Sequence, residues 1–367
     1  MTRGAGAHVR KGLTLPLNAK TSDCPRRRSL LRCAAFAAAL AAGGLVTSAC
    51  GSSSSSTTLI LYNGQHPQTT DALITAFEQK TGINVLVRND DEDILADQIV
   101  QEGSRSPADL IFTENSPALE FLQNKGLLAA VDPSTLAHTA SRFNSPQGDW
   151  VGVTARVSVL IYNTDELTAS QLPTSVLQLA DPRWSGKLAI AVGETDFQPI
   201  VTAVERAYGK QRTLQWLEGL KANAGGHTYP DNETITSMVN DGTCAIGIIN
   251  QYYWYRERVL VGASAMHSAI AYLAPRDPGY VVDISGAAVL ASSKHRAAAE
   301  AFLAFITSNQ GQEIIAHGTS FEYPVAAGVA APAGETPFAQ LQPYPINLAE
   351  LGDGASAIAL LQQVQLL

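Results

Sequence analysis

Three places in this 367-residue chain set oxygen and nitrogen donors directly behind an apolar run. The run ending at Tyr62 is followed by Asn63-Gly64-Gln65-His66, the run ending at Phe112 by Thr113-Glu114-Asn115, and the run ending at Ile249 by Asn250-Gln251-Tyr252-Tyr253. An imidazole, a carboxylate and two adjacent phenols thus stand at corresponding points of three segments. These types suit one chemistry. Hard cations take oxygen donors, and imidazole also serves iron. A phenol, with a pKa of about 10, becomes a good ligand only once its proton is lost. A strong Lewis acid such as Fe³⁺ enforces that loss at neutral pH. One carboxylate and two phenolates carry about three negative charges, which match a trivalent ion and would over-charge the shell of a divalent one. Singly, each residue has a plainer role: a surface or core imidazole, a carboxylate favoured by a helix dipole, a packed pair of rings. Their coincidence at three strand ends favours the metal.

The elements that must position these donors alternate along the chain. Leu59 to Tyr62 reads as a strand, Thr70 to Lys80 as a helix stopped by Gly82, Ile83 to Val87 as a strand, Ile94 to Gln101 as a helix, and Ala108 to Phe112 as a strand. Ser116-Pro117 then opens a helix as N-cap and first helical residue, and Gly126 closes it. Strand–helix alternation of this kind predicts a parallel sheet covered by helices, and such sheets bind ligands beyond the carboxyl ends of their strands. The pattern recurs: strand Leu188 to Val192, helices Phe197 to Tyr208 and Leu214 to Lys221, a helix capped by Asn232 and running to Asp241-Gly242, and strand Ile246 to Ile249. Trp150 to Asn163 reads as a long extended crossing between the halves. Ile284 to Leu290 is strand-like, and Arg296 to Ile315 reads as one or two helices. Two α/β lobes joined by extended crossings form the architecture of binding proteins that close like a hinge on a ligand. The expected division is lobe 1 over 57–155 plus about 281–335, and lobe 2 over about 156–280 plus 336–367.

The first fifty residues read as an address. Arg26, Arg27, Arg28 and Arg32 form a positive region, Leu30 to Val46 an apolar stretch, and Thr47-Ser48-Ala49 a small-residue end before Cys50. Gly51 and Ser52 to Ser56 read as a flexible tether. Eight of the 25 basic residues and one of the 33 acidic ones lie up to Cys50, so the body keeps 17 against 32, a net charge of −15. That argues against nucleic acid as a partner and suits a body that attracts a cation. Cys24 and Cys33 leave with the leader, so Cys244 alone remains in the body and no internal disulfide is expected there. It lies in an apolar run and reads as a buried strand residue.

Leu45-Val46-Thr47-Ser48-Ala49-Cys50 resembles the lipobox of bacterial lipoproteins, whose terminal cysteine is acylated. The body resembles the ferric-ion-binding proteins of bacterial iron ABC importers over nearly its whole length. The likeness is densest in Tyr62-Asn63-Gly64-Gln65-His66, Pro107-Ala108-Asp109 through Thr113-Glu114, Asn250-Gln251-Tyr252-Tyr253-Trp254, Arg276-Asp277-Pro278-Gly279, Ser285-Gly286-Ala287-Ala288-Val289-Leu290 and Glu322-Tyr323-Pro324. The resemblance implies a two-lobed, type II-like periplasmic-binding-protein fold. It also implies Fe³⁺ as the transported ligand, held by His66, Glu114, Tyr252 and Tyr253. An ABC permease is the implied partner, and the implied state is an extracytoplasmic monomer anchored to the membrane by a lipid on Cys50. Relatives complete the shell with an anion such as carbonate, phosphate or citrate, held by a small neutral loop and by Asn side chains. Asn232 and Asn250 match the helper positions, but Glu194-Thr195-Asp196 stand where the neutral loop would be. Two carboxylates there disfavour an exogenous anion. Glu194, and after it Asp196, are therefore candidates to replace the anion, against the plainer reading of Asp196 as a helix N-cap and Glu194 as solvent-facing. Thr195 falls between them in the same loop.

Other readings stay open on residues alone. A polyamine, thiamine or an iron chelate suits an aromatic, carboxylate-bearing cleft on the same fold. No nucleophile elbow, phosphate loop or Cys–His pairing marks an enzyme. Asp90-Asp91-Glu92-Asp93 reads as a solvated helix start rather than a second metal site, Arg276 to Gly279 as a structural turn, and Tyr62 and Trp254 as packing residues.

Overall fold

In the computed structural model, which describes residues 57–367, a single strand ties two half-sheets together. The strands are β1 (Thr58–Asn63), β2 (Asn84–Asn89), β3 (Leu110–Phe112), β4 (Val151–Asn163), β5 (Leu188–Ala189), β6 (Ile246–Asn250), β7 (Ser268–Ala271), β8 (Val282–Val289) and β9 (Tyr323–Pro324). Their order is β2-β1-β3-β8-β4-β6-β5, with β7 and β9 also pairing β4. The signal-like segment, Cys50 and the Ser-rich tether lie outside the described residues.

β4 is the long crossing expected from Trp150 to Asn163. Its first part pairs β8 as far as Val157, and from Ser158 it pairs β6. The run Val151-Gly152-Val153-Thr154-Ala155-Arg156-Val157-Ser158-Val159 is buried on both faces, as a strand between two layers must be. A Cβ on Gly152 would collide with the Phe143 carbonyl, so this close approach needs glycine. The sheet is mixed, which corrects the all-parallel expectation. β1 runs parallel to β2 and β3, and β5 parallel to β6. The crossings β4 and β8, however, pair antiparallel to their neighbours. β4 alone runs from one half into the other, and β8 lies antiparallel beside its first part, with no covering helix to bring either to a parallel start.

Helices Pro67–Thr81 and Arg296–Thr307 cover one face of the first half-sheet, where Leu59, Leu61, Phe77 and Phe302 are fully buried. Phe77 and Phe302 meet edge to face at 5.1 Å between centroids. The opposite face joins the core of the second half through helices Glu92–Glu102 and Ser116–Asn124. Between Arg296 and Ile315 there are two helices, split at Ser308, whose hydroxyl caps the second by accepting from Gly311 N–H. Arg276 to Gly279 is a turn as expected. Arg276 takes a φ of 65°, and buried Asp277 accepts from the Val176 and Gly279 N–H groups.

Three local expectations need correction. The strand from Leu188 is only two residues long, with an added bridge from Ile190 to Thr228, because the chain turns into the loop at Gly193. Asp231, not Asn232, caps the helix Asn232–Asn240, accepting from Thr234 N–H at 2.7 Å. Asn115, not Ser116, precedes the helix Ser116–Asn124. The last two are one-residue shifts, and each frees an amide side chain for the site.

Candidate metal centre

β1 delivers His66 to the start of helix Pro67–Thr81, and β3 ends two residues before Glu114. β6 leads straight into helix Gln251–Val261, whose first turn carries Tyr252 and Tyr253. From β5 the chain enters the turn Thr195–Phe197, which holds Asp196. These four chain ends converge. His66 Nδ1 contacts Glu114 Oε1. The Tyr252 hydroxyl donates to Glu114 at 3.1 Å and lies 3.3 Å from Asp196. The Tyr253 hydroxyl lies 3.1 Å from Asp196 and 3.3 Å from Glu194. The two phenol rings stand 4.2 Å apart, and the His66 ring meets both edge-on.

Asp196 is therefore not a helix cap. It is buried, and its carboxylate faces both phenols while accepting from Asn232 Nδ2 and Asn115 Nδ2, each at 3.0 Å. Glu194 does not point to solvent either; it accepts from Asn232 N–H at 2.9 Å. The Thr195 hydroxyl lies 3.1 Å from Asn115 Nδ2. Asn250 borders a void of about 10 Å³ shared with Asp196 and Asn232. All nine residues singled out in the body (His66, Glu114, Glu194, Thr195, Asp196, Asn232, Asn250, Tyr252 and Tyr253) thus lie in one neighbourhood.

Burial sets the electrostatics. It pushes Glu114 well above the usual carboxylate range, with the Asp196 charge adding to the effect. Burial raises Glu194 likewise, again reinforced by Asp196. Both phenols are driven further up, by burial first and then by Asp196 and Glu114. His66 moves the other way, down to about 3, because burial and then Arg256 disfavour a charged ring. Burial thus favours the neutral imidazole and the protonated forms of Glu114, Glu194 and both phenols. A hard cation entering here exchanges charge for those protons. Among the described residues no three His, Cys, Asp or Glu side chains are placed to hold a metal by themselves, so a shell at this point needs the phenols.

Sequence reasoning missed the cations beneath the site. Arg156, on β4, is fully buried and reaches three carboxylates from three segments. Its guanidinium pairs with Glu322 and lies 3.6 Å from both Glu114 and Asp196. Burial would raise Glu322, but Arg156, Arg256 and the Thr69 hydrogen bond together outweigh it and hold the carboxyl below the usual range. Glu322 also accepts from Thr69, Thr154 and Gln65, and Gln65 in turn accepts from His66 N–H. Arg256 stacks over the Tyr252 ring at 4.5 Å. One signal for Arg156 was available: a lone charge in the middle of an otherwise apolar crossing strand. The acidic run is the clearest misreading. Glu92 is buried, not solvated, and accepts from the N–H groups of Glu114 and Asn115 at 2.6 and 2.9 Å. Tyr62 and Trp254 pack as expected, each with its polar atom satisfied, by Glu102 and by the Ser268 carbonyl. Cys244 is free and buried.

Residues 105–345 match a family model described as bacterial extracellular solute-binding protein. An Fe(3+)-binding periplasmic protein of Serratia marcescens is 39% identical over 293 residues, covering 80% of this chain and 86% of the relative. The major ferric iron-binding protein of Neisseria meningitidis serogroup B is 34% identical over 307 residues, covering 83% of this chain and 92% of the relative. Among solved structures, iron-bound HitA from Pseudomonas aeruginosa superposes with a TM-score of 0.80 at 41% identity, covering 84% of this chain and 99% of that one.

Proposed function

The chain belongs to the bacterial extracellular solute-binding protein family, and on that premise we propose that it captures ferric iron between two lobes and delivers it to an ABC importer. The observation that carries the reading is the convergence of His66, Glu114, Tyr252 and Tyr253 from three separate strand ends, through polar contacts of Glu114 with His66 and Tyr252 and ring contacts of Tyr253 with Tyr252 and His66. We assign these four as the iron ligands. The relatives' names, which speak of ferric iron, support the choice of ion. An organic cation is less well served, since rings 4.2 Å apart leave no slot between them for a ligand to enter.

Two further assignments go with it. Asp196, ahead of Glu194, takes the place that an exogenous carbonate, phosphate or citrate would fill, with Thr195, Asn232 and Asn250 as its support. The support for this is the approach of both phenols to its carboxylate. The lobes divide as 57–155 plus about 281–335, and about 156–280 plus 336–367, in line with the change of partner along β4 at Val157 and Ser158. The protein acts outside the cytoplasm as a monomer, tethered through a lipid on Cys50.

Ferric citrate added to the purified protein is the deciding test. Phenolate-to-iron charge transfer absorbs visible light, so the solution should colour up to a one-to-one ratio and no further. A colourless mixture would remove the ferric reading.

A further inference from the structure

We propose that the start of the helix Glu92–Glu102 anchors an inter-lobe clasp, Asp93 with Gln198 on one side and Asn115, seated by Glu92, with Thr195 and Asp196 on the other, that sets how long the captured ion is held. The inference rests on the ferric reading for its ion but on separate residues for its geometry. The helix Glu92–Glu102 follows β2 in the first half-sheet, whereas Gln198 opens the helix that follows β5 in the second. Gln198 Nε2 donates to Asp93 Oδ2 across that divide at 3.0 Å. One residue earlier, Glu92 binds the loop carrying Glu114 by accepting from the Glu114 and Asn115 N–H groups. Asn115 Nδ2 then lies 3.2 Å from Glu92 Oε1, 3.1 Å from Thr195 Oγ1 and 3.0 Å from Asp196 Oδ1, which again bridges the two halves.

Both sides of the clasp are built in by glycine. A Cβ on Gly64 would sit 2.6 Å from Glu92 Cβ, so the helix start can rest on the β1 loop only because residue 64 has no side chain. Gly354, held at a φ of 76°, backs against the Gln198 amide oxygen, where a Cβ would collide with it. That leaves the amide nitrogen turned to Asp93. Asp93 and Gln198 bond to one another rather than to the phenols or His66. Opening the lobes must break these contacts, while an open form has none of them to lose. They therefore act on the escape of the ion far more than on its capture.

Ferric-loaded full-length protein challenged with excess EDTA reads this directly through decay of the visible band. Asp93→Ala and Gln198→Ala should each release iron about tenfold faster than the parent, the scale of one hydrogen bond to a charged group. The double variant should add little to either single change, because both remove the same bond. Asp93→Asn, which keeps an acceptor oxygen, should fall in between. The band position should not move, since no ligand is altered. Release within twofold of the parent for all variants, or a shifted band, overturns the clasp. Small-angle scattering of the iron-free proteins gives a second reading independent of the ion. Wider Asp93→Ala and Gln198→Ala profiles support the clasp, and profiles identical to the parent's count against it. Should the parent never colour with iron, the ferric reading fails and scattering alone decides the clasp.

Discussion

At the level of single residues, the site is a place where protons are expensive to remove. Tyr252 and Tyr253 are buried against Asp196, Glu114 and Glu194, and both phenols are held well above their ordinary value by burial and then by Asp196 and Glu114. Only a ligand that returns more Coulomb energy than the deprotonation costs can displace both protons. Tyr252→Phe and Tyr253→Phe should therefore each weaken ferric binding and bleach or shift the visible band, and the double variant should bind at least a hundredfold more weakly, on the order of 1.4 kcal/mol or more per phenolate. Equal affinity by competition against citrate would refute the ligand assignment. A second expectation concerns Asp196. Asp196→Ala should make iron retention depend on added carbonate or phosphate, while Glu194→Ala, whose carboxylate meets only one phenol, should do so less. Retention by Asp196→Ala after anions are stripped by dialysis would show that the carboxylate holds no coordination place. The meeting of His66, Glu114, Tyr252 and Tyr253 was legible because strand ends mark them. The approach of Asp196 to both phenols, where Glu194 meets one, was not, because it depends on a turn of helix Thr195–Phe197 that no spacing encodes.

At the level of elements, periodicity gave most helices and strands to within a few residues, and the residual errors are informative. The mixed sheet arises from β4 and β8, whose apolar runs carry no mark of direction. The acidic run looked solvated because charge density is all a sequence offers there. Glu92 alone turns inward, since its carboxylate satisfies two backbone N–H groups of another loop. A comparable buried acid sits behind the helix Gln251–Val261. Glu335 is pushed up to about 8 by burial, with Gln251 as a distant partner at 3.5 Å. The folded chain thus binds this proton more tightly than the unfolded one, whose value is 4.5. Stability from it is fully present below that value and is lost as pH rises through the folded one. The iron-free protein should melt at a lower temperature at about pH 9 than at about pH 6 by this contribution. Glu335→Gln, which cannot ionise, should flatten that fall in a pH series of calorimetric scans. An unchanged slope would mean Glu335 is already ionised in the folded state.

At the scale of the whole molecule, the two-lobed α/β fold was legible in the sequence because strand and helix signals alternate in two runs joined by a long extended crossing. The body's net charge of −15 draws cations toward the cleft but keeps the chain off anionic surfaces. The proposed lipid on Cys50 would supply a hold on the membrane that the charge does not, and on that proposal Cys50→Ala should leave the membrane fraction for the soluble one or stay unprocessed. A variant that fractionates as the parent does would end the lipoprotein assignment. On the proposed ligand set, the ion couples the lobes. His66 and Glu114 come from the first half-sheet, Tyr252, Tyr253 and Asp196 from the second, so the full donor set exists only when the halves are together. Ferric iron binding the folded, closed form alone should then raise the melting temperature by mass action, adding about 1.4 kcal/mol per tenfold excess of free ion over the dissociation constant. Acid should erase this gain. As pH falls, protons compete for the oxygens of Glu114, Glu194, Tyr252 and Tyr253, whose affinity for the proton burial raises. Nothing on the His66 side compensates, since its ring stays neutral until about pH 3. The difference in melting temperature between ferric-loaded and iron-free protein, followed down in pH beside the visible band, should shrink in step with the colour. A stabilisation that outlasts the colour would place the stabilising ion somewhere other than on the two phenols.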